Sequence, residues 1–563
     1  MAWEPTYMSS HSILSAPDAR SRIGAGFQLE SIADWSVVCL CAISLIFSWI
    51  ESVINCDSHH WGFMYVPAFD FKQGLVPYKQ IFIAYGYLST WIQAVSLTLL
   101  GNSLKSIGIV TGIFYSLSLL LSYRVFLTFI SKPLSAFSVL LIFLIHPYIV
   151  HPWPNYFCYT LELMCLLLFV KGKTITISRL AAGVCLGLAC LFRYSAAPAI
   201  VPPFLVYSCY EIFLIDTGWR LRVKGAVLFG LGFLAPLLCF VGLLISENAY
   251  FDFYLQNRVI AESWNRGITV RNALPKLLEH IVLADTWPVR DTRSIAFSII
   301  FSVAVIVLGY LGWKILLKRK LSRTENSMLI VSLVAVFGYL NSIHIYQIFR
   351  LVNGASVGIG LVIYVVERMA SRSGTVVRRS LIACAVIVCL AWSRNLLFRS
   401  NSSVYLPWSR GSLIRPVVTE ARISFFEGKR LSKEYYGFYE EVLGIFSKFD
   451  DSYYVVNYTW DPLLTVLGGL KRVQIVPFYL DPPFYLPIAE HGYPEETRRI
   501  ADAISSRKAI VLTTKERTIP GYKVVFAKPW SGDTPWFAQM KGMKLYINIP
   551  DEPARHDPSQ KNP

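Results

Sequence analysis

Three polar side chains follow the first long apolar run of the sequence, which covers residues 35–54: Asp57, His59 and His60. A carboxyl group at the edge of a membrane is costly unless it faces water or a cleft, and in a cleft it can accept a proton from a nucleophile. Asp57 is therefore a candidate general base, the alternative being a structural acid at a helix end. His59 and His60 have the chemistry to contact phosphate or a divalent cation. We favour interfacial aromatics, because no neighbouring residues complete a metal-ligand set.

A second group of residues has the chemistry to bind an anion. Arginine presents a planar fork of donors that suits phosphate, and histidine can support it. The alternatives are a structural ion pair, or a side chain that extends to lipid headgroups. The candidate phosphate ligands are Arg193, Arg258, His344 and Arg350.

The composition places these residues in a membrane protein. Of 563 residues, 54% are hydrophobic and only 16% are charged, whereas soluble domains carry about 25% charged residues. The net charge of +17 comes from basic clusters in short loops, as in 219–224 and 314–323, which the positive-inside rule explains. The pattern therefore excludes a soluble enzyme and gives no support to nucleic-acid binding.

The apolar runs predict about eleven transmembrane helices and a cytoplasmic N-terminal segment, residues 1–34. With the N-terminus in the cytoplasm, all the basic loops also lie in the cytoplasm. The odd number of spans then places the C-terminal segment outside. We interpret the further apolar stretch 84–101 as an interfacial helix on the outer face, although it is long enough to cross. The predicted spans lie near 35–54, 105–123, 134–150, 157–171, 178–194, 196–214, 224–246, 294–317, 326–344, 352–368 and 376–397.

The chain changes character after residue 398. Short runs rich in β-branched and aromatic residues alternate with a helical stretch at 494–506, which begins with Pro and two acids. Such alternation predicts a small α/β domain over 399–563. The expected organisation is thus a transmembrane domain over 35–398, with a first outer loop at 55–104, and an extracytoplasmic C-terminal domain.

The first outer loop carries an ordered set of short motifs. In sequence order these are Asp57, then Gly74, Pro77 and Tyr78, then Tyr85, Gly86 and Leu88, then Leu99, Leu100 and Gly101. This order resembles the first periplasmic loop of bacterial membrane glycosyltransferases of the GT-C fold. The branch it resembles includes protein O-mannosyltransferases and the lipid A aminoarabinose transferase (glycosyltransferase family 39). In architecture the resemblance covers about residues 35–400.

The resemblance implies an enzyme of the bacterial inner membrane with its active site on the periplasmic face. It implies a polyprenyl-phosphate sugar as donor and inversion at the anomeric carbon. The acceptor would be a glycolipid, a polysaccharide or a protein, and Asp57 would be the general base. No resident cofactor is implied, although a divalent cation stays open.

One departure from the resembled pattern concerns the second outer loop. Relatives often carry a second acid there, whereas residues 146–162 of this chain contain no Asp. The candidate supporting residues are His151, Asn155 and Glu162, of which Glu162 is expected inside a span. Cys56 and Cys158 fall near the same membrane face, and we favour two free thiols over a disulfide.

Two other functions stay open. A polysaccharide polymerase or O-antigen ligase would also use arginines and a histidine in an outer loop. A non-catalytic transporter or flippase for lipid-linked saccharides would favour inverted repeats and broken helices. No phosphate-binding loop of the GxxxxGK[ST] type occurs, which argues against ATP-driven transport.

Overall fold

The structure is a computed structural model of the chain. It describes residues 19–54, 58–146, 152–171, 175–215, 218–264, 275, 292–342, 348–398, 417–418, 422–473, 475, 494–530 and 543–551. Four residues singled out above lie outside the described residues: Cys56, Asp57, His151 and His344.

The first part of the chain is helical. Its helices, numbered in chain order, are α1 (Ala19–Ile54), α2 (Ser58–Lys72), α3 (Tyr87–Leu100), α4 (Leu104–Phe126), α5 (Lys132–Ile145), α6 (Asn155–Lys171), α7 (Ile175–Phe192), α8 (Ala197–Phe213), α9 (Trp219–Ser246), α10 (Tyr250–Trp264), α11 (Thr292–Leu316), α12 (Arg323–Phe337), α13 (Ile348–Val352), α14 (Ile359–Arg372) and α15 (Thr375–Phe398). This pattern confirms an α-helical polytopic membrane protein.

Six helical segments of the described residues are long and apolar enough to span a membrane. They are Glu30–Ile54, Leu104–Phe126, Tyr194–Phe213, Trp219–Ser246, Ile295–Leu316 and Thr375–Ser393. The other five predicted spans coincide with α5, α6, α7, α12 and α14, which have 14 to 18 residues. The total of eleven spans stays a prediction. The interfacial interpretation of 84–101 also stays a prediction, because its helix α3 has 14 residues, the same length as the predicted spans α5 and α14.

Helices α7 and α9 approach each other closely through glycine. A Cβ atom on Gly183 would lie 2.1 Å from the Phe229 carbonyl oxygen, and one on Gly232 would lie 2.2 Å from the Leu180 carbonyl oxygen. Only glycine allows two backbones to come this near, as at other interfaces of membrane helices. The close contact fixes the position of the outer end of α7, where the chain continues into Arg193.

Helix α1 relates the C-terminal domain to the other end of the bundle. In the middle of α1, Asp34 and Glu30 form ion pairs with Lys132 (3.0 Å and 3.5 Å). Ser52, near the C-terminal end of α1, lies about 27 Å farther along the helix axis than Asp34. Since the C-terminal domain binds at Ser52, as described below, it lies far along α1 from the Lys132 ion pairs.

The C-terminal domain contains a five-stranded mixed sheet. Its strands are β1 (Tyr454–Tyr458), β2 (Lys471–Arg472), β3 (Ala509–Thr513), β4 (Tyr522–Pro529) and β5 (Lys544–Pro550), in the order β2-β1-β3-β5-β4. The pairs β1–β2 and β1–β3 are parallel, and β3–β5 and β4–β5 are antiparallel. Two helices, α16 (Lys433–Phe446) and α17 (Pro494–Ser505), belong to this part of the chain. The small α/β domain is thus confirmed.

The C-terminal domain caps the outer end of α1. Lys429 is fully buried; its Nζ donates to the Ser52 carbonyl oxygen (2.6 Å) and lies 4.6 Å from the centre of the Trp61 ring. The Arg430 backbone N–H donates to the Val53 carbonyl oxygen (2.9 Å). Carbonyl groups in the last turn of a helix have no partner within the helix, and a cation there is favoured by the helix dipole. The domain thereby stabilises the end of α1, just before residues 55–57.

A buried ion pair joins the first outer loop to the same domain. Asp70 of α2 bonds to Arg472 of β2, and their side chains are only 8% and 12% exposed. Burial raises the pKa of the Asp70 carboxyl above its usual value, while the Arg472 charge opposes that rise. Removing one partner of a buried pair leaves the other charge uncompensated, which costs about 3–5 kcal/mol.

We therefore expect Arg472→Met to loosen the C-terminal domain strongly at pH 7. Because the cost comes from an ionised Asp70, it should shrink as the pH falls and the carboxyl takes up a proton. Protease accessibility and thermal unfolding of the full chain in detergent, at pH 7 and at acidic pH, measure this. Lys528→Met is the matched control, since its ion pair with Glu441 (2.6 Å) is about half exposed and such pairs contribute little. Equal losses in the two variants would contradict the prediction.

Candidate functional site

The first outer loop meets the C-terminal domain at the start of α2. The Nδ1–H of His59 donates to the Trp460 carbonyl oxygen at 2.7 Å, and the His59 and His60 rings lie 4.9 Å apart. No group of three or more His, Cys, Asp or Glu side chains that could hold a metal occurs among the described residues. His59 is thus a contact to the C-terminal domain, which supports the aromatic interpretation of the pair.

An aromatic chain links the first and second outer loops. Trp153 lies between His60 (5.2 Å) and Tyr85 (5.1 Å), measured between ring centres. The Gln93 side chain of α3 also donates to the Pro152 carbonyl oxygen (2.9 Å). Asn155 begins α6 beside these residues; it is buried, and its Nδ2 has no hydrogen-bond acceptor within the described ranges. The described residues of the two loops therefore lie side by side next to the start of α6.

Arg193 is buried, which argues against the alternative that its side chain extends to lipid headgroups. The residue is 4% exposed and connects α7 to a 3-10 turn, Tyr194–Ala196. Its Nη1 donates to the Asn341 side-chain oxygen at 3.4 Å, while its Nε has no acceptor among the residues that the structure describes. Arg350 of α13 lies near enough for the two positive charges to repel. The structure thus brings together two of the predicted phosphate ligands.

The segment that carries Arg350 is irregular, whereas the sequence predicted two continuous spans, at 326–344 and 352–368. Helix α12 ends at Phe337, and α14 begins only at Ile359. Between them, a Cβ atom on Gly338 would lie 2.6 Å from the Gly354 carbonyl carbon, so the segment folds back on itself. Irregular backbone at membrane depth is tolerated where it is buried in protein or lines a cavity. The break places Arg350 beside Arg193.

Glu162 and Arg258 are two further residues that the sequence analysis singled out. Glu162 is inside α6, as predicted, and is 1% exposed; neither carboxylate oxygen has a hydrogen-bond partner in the described part of the chain. It lies about 10 Å farther along the helix than Asn155. Arg258 is exposed on α10.

Two buried charged residues were not singled out by the sequence analysis. Asp461 is fully buried and accepts hydrogen bonds from the Leu463 backbone (3.0 Å), from the Trp530 ring (3.3 Å) and from Tyr439. Burial raises the pKa of Asp461 to about 6, against the opposing effect of those bonds. Arg293, at the start of α11, is also fully buried and donates to the His146 carbonyl oxygen (3.4 Å). No local pattern marks either residue, because each is buried by segments distant in sequence.

A cavity of about 200 Å³ lies beside the first loop. Its lining is mostly apolar and comes from the end of α2, the following loop, the start of α3 and the end of α9, including Leu75, Tyr87 and Leu244. No arginine lines it. The predicted phosphate ligands Arg193 and Arg350 are thus not part of this cavity.

Comparison with solved structures identifies the fold. ArnT from Cupriavidus metallidurans, solved bound to undecaprenyl phosphate, superposes with a TM-score of 0.55 and 12% identity, covering 91% of this chain and 97% of that chain. Its apo state gives a TM-score of 0.51 and 12% identity, with 92% and 98% covered. The archaeal oligosaccharyltransferase AglB from Archaeoglobus fulgidus was solved in complex with an inhibitory peptide and a dolichol-phosphate. It superposes with a TM-score of 0.49 and 11% identity, covering 84% of this chain and 69% of that chain.

No protein-family model matches the sequence, and no curated protein does either. The superposition on ArnT nevertheless covers almost the whole of both chains. The chain therefore has the GT-C fold, as the order of motifs in its first outer loop predicted.

Proposed function

We propose that this protein is an inverting membrane glycosyltransferase. It transfers a sugar from a polyprenyl-phosphate donor to a cell-envelope acceptor, which is a glycolipid, a polysaccharide or a protein, with Asp57 as the general base. The arginine pair, Arg193 and Arg350, is the observation that carries the proposal. The GT-C fold supports it, because ArnT of that fold was solved bound to undecaprenyl phosphate.

The surroundings of Arg193 favour a bound anion. Arg193 is buried, the Arg350 charge repels it, and its Asn341 contact is long at 3.4 Å and neutral. A buried charge beside a like charge is unfavourable unless an anion compensates it. A lipid phosphate supplies that charge, and its oxygens accept hydrogen bonds from guanidinium groups. In the reaction, the pair stabilises the charge that develops on the leaving phosphate.

The proposed reaction has one displacement step. Asp57 takes the proton of the acceptor hydroxyl, and the acceptor oxygen forms a bond to the anomeric carbon from the face opposite the phosphate. The bond between that carbon and the phosphate oxygen breaks. Both of its electrons leave with the polyprenyl phosphate, which remains at the arginine pair. The products are the glycosylated acceptor with inverted configuration, polyprenyl phosphate and a proton held by Asp57.

The proposed location is the periplasmic face of a bacterial inner membrane. The arginine pair lies at the end of α7 that follows the glycine contacts with α9. The first loop and the C-terminal domain lie at the end of the bundle opposite the Lys132 ion pairs. If the end of the bundle that carries Lys132 is cytoplasmic, the site faces outward. It then needs a donor that has already been flipped across the membrane.

The experiment that tests the proposal uses the full chain reconstituted in liposomes with a radiolabelled polyprenyl-phosphate hexose or pentose and an envelope extract as acceptor. We expect acceptor-dependent release of free polyprenyl phosphate and transfer of the label to the acceptor. Movement of intact lipid-linked sugar between leaflets without cleavage would instead support the transporter function. Chain elongation of a lipid-linked glycan would support the polymerase function.

A further inference from the structure

Gln256 attaches α10 to the first outer loop. Its side chain is fully buried, and its Nε2 donates to the carbonyl oxygens of Tyr78 (2.6 Å) and Ile81 (3.1 Å). Its Oε1 accepts from the Ile83 backbone N–H at 3.1 Å. One amide group thus satisfies three backbone groups of a loop 173 to 178 positions away in sequence. Buried polar groups of this kind are costly to leave unpaired.

Hydrogen bonds between tyrosines connect the loop that Gln256 holds to the residue that follows Arg193. The Tyr78 and Tyr194 hydroxyl groups are hydrogen-bonded to each other, and Tyr194 directly follows Arg193. The Tyr87 backbone N–H donates to the Tyr194 hydroxyl (2.9 Å), and the Tyr194 N–H donates to the Tyr85 carbonyl oxygen (3.1 Å). Both the backbone and the side chain of Tyr194 are therefore fixed by the first loop.

The geometry at Tyr78 shows that this arrangement is imposed by its surroundings. Tyr78 has a φ angle of 65°, a left-handed conformation that is unfavourable for a bulky residue. Its ring is fully buried and packs edge-on against Phe253 of α10 at 5.0 Å. Contacts from α10 thus hold Tyr78 in the conformation that directs its hydroxyl group to Tyr194.

We propose that Gln256 is a positioning residue for the lipid-phosphate site. By fixing Tyr78, and through it Tyr194, Gln256 fixes the backbone of Arg193 and so sets the affinity for polyprenyl phosphate. The inference rests on the proposed function only in assigning Arg193 to the phosphate. It predicts an effect on donor binding from a side chain that contacts neither Arg193 nor the donor.

The test measures binding of polyprenyl phosphate alone to the full chain, and separately KM and kcat for transfer. We expect Gln256→Ala to weaken binding about tenfold, since it leaves buried backbone groups unpaired, and to raise the donor KM more than it lowers kcat. Gln256→Glu should weaken binding too, because an ionised carboxylate cannot donate to the two carbonyl oxygens. Asn257→Ala is the matched control, since that amide bonds to Phe253 of its own helix (2.8 Å).

A double-mutant cycle separates action through Arg193 from general loosening. If Gln256 acts through Arg193, adding Gln256→Ala to Arg193→Met should cost no further affinity. Additive losses would overturn the inference, as would unchanged binding in Gln256→Ala when Arg193→Met binds weakly. If Arg193→Met binds polyprenyl phosphate with unchanged affinity, Arg193 is not a phosphate ligand as the proposed function requires. The inference about Gln256 is then wrong as well. If Gln256→Ala does not insert into the membrane, Tyr194→Phe, which removes only the hydroxyl group, replaces it in the same binding measurement.

Discussion

Replacement of Asp57 by Asn is expected to reduce the rate of sugar transfer by about 10²–10⁴-fold, the usual contribution of a general base. The amide has nearly the shape of the carboxylate but cannot accept the proton of the acceptor hydroxyl. Binding of polyprenyl phosphate should change little, because it depends on the arginine pair. Initial rates of transfer in liposomes, together with the amount of inserted protein, give the comparison.

The control for this change is Asp502→Asn, the same substitution at an exposed position of α17 in the C-terminal domain, which should leave the rate unaltered. Undiminished transfer in Asp57→Asn would remove Asp57 from the chemistry. Glu162→Gln would then be the next variant, since Glu162 is a buried carboxylate without a hydrogen-bond partner in the described residues.

Arg193→Met and Arg350→Met are each expected to weaken polyprenyl phosphate binding by about 10- to 100-fold. This range corresponds to the loss of hydrogen bonds to a charged group, at about 1.5–3 kcal/mol. Arg193→Met should also leave the ligand-free protein as stable as before, or make it more stable, because it removes a buried charge that the Arg350 charge repels. A structural arginine in an ion pair would give the opposite sign of stability change.

Thermal unfolding with and without added polyprenyl phosphate measures both effects. The unsubstituted protein should be stabilised by the ligand, and the two variants should lose most of that stabilisation. Arg372→Met, at an exposed position at the end of α14, is the matched control. Normal ligand stabilisation in both variants would contradict the assignment of the arginine pair to the phosphate.

Several features of the fold follow from local composition. A helix in lipid must satisfy its own backbone groups, so long apolar runs such as 35–54 and 224–246 mark helices reliably. The runs 508–514 and 522–527 likewise became β3 and β4. The order of motifs in the first outer loop also predicted the GT-C fold, although the sequence matches no family model.

Local composition did not predict where helices break. The apolar stretches 326–344 and 352–368 have the hydropathy of spans, yet α12 ends at Phe337, α14 begins only at Ile359, and 3-10 turns lie at Gly338–Ser342 and Ser356–Gly358. The reason is tertiary: the freed backbone of this segment is buried against neighbouring helices, and Gly338 and Gly354 allow a contact closer than any side chain permits. The hydropathy of a segment measures its preference for lipid. It does not show which tertiary contacts the segment will make.

The sequence by itself determined the helical membrane fold and the small C-terminal α/β domain, and it supplied the list of candidate site residues. Only the tertiary structure decided which of them meet. Arg193 is buried beside Arg350, Asp70 pairs with Arg472 at a separation of 402 positions, and Gln256 holds the first loop. Apolar burial follows from residue type summed over a helix, whereas each polar contact depends on one atom pair whose partner no local pattern specifies.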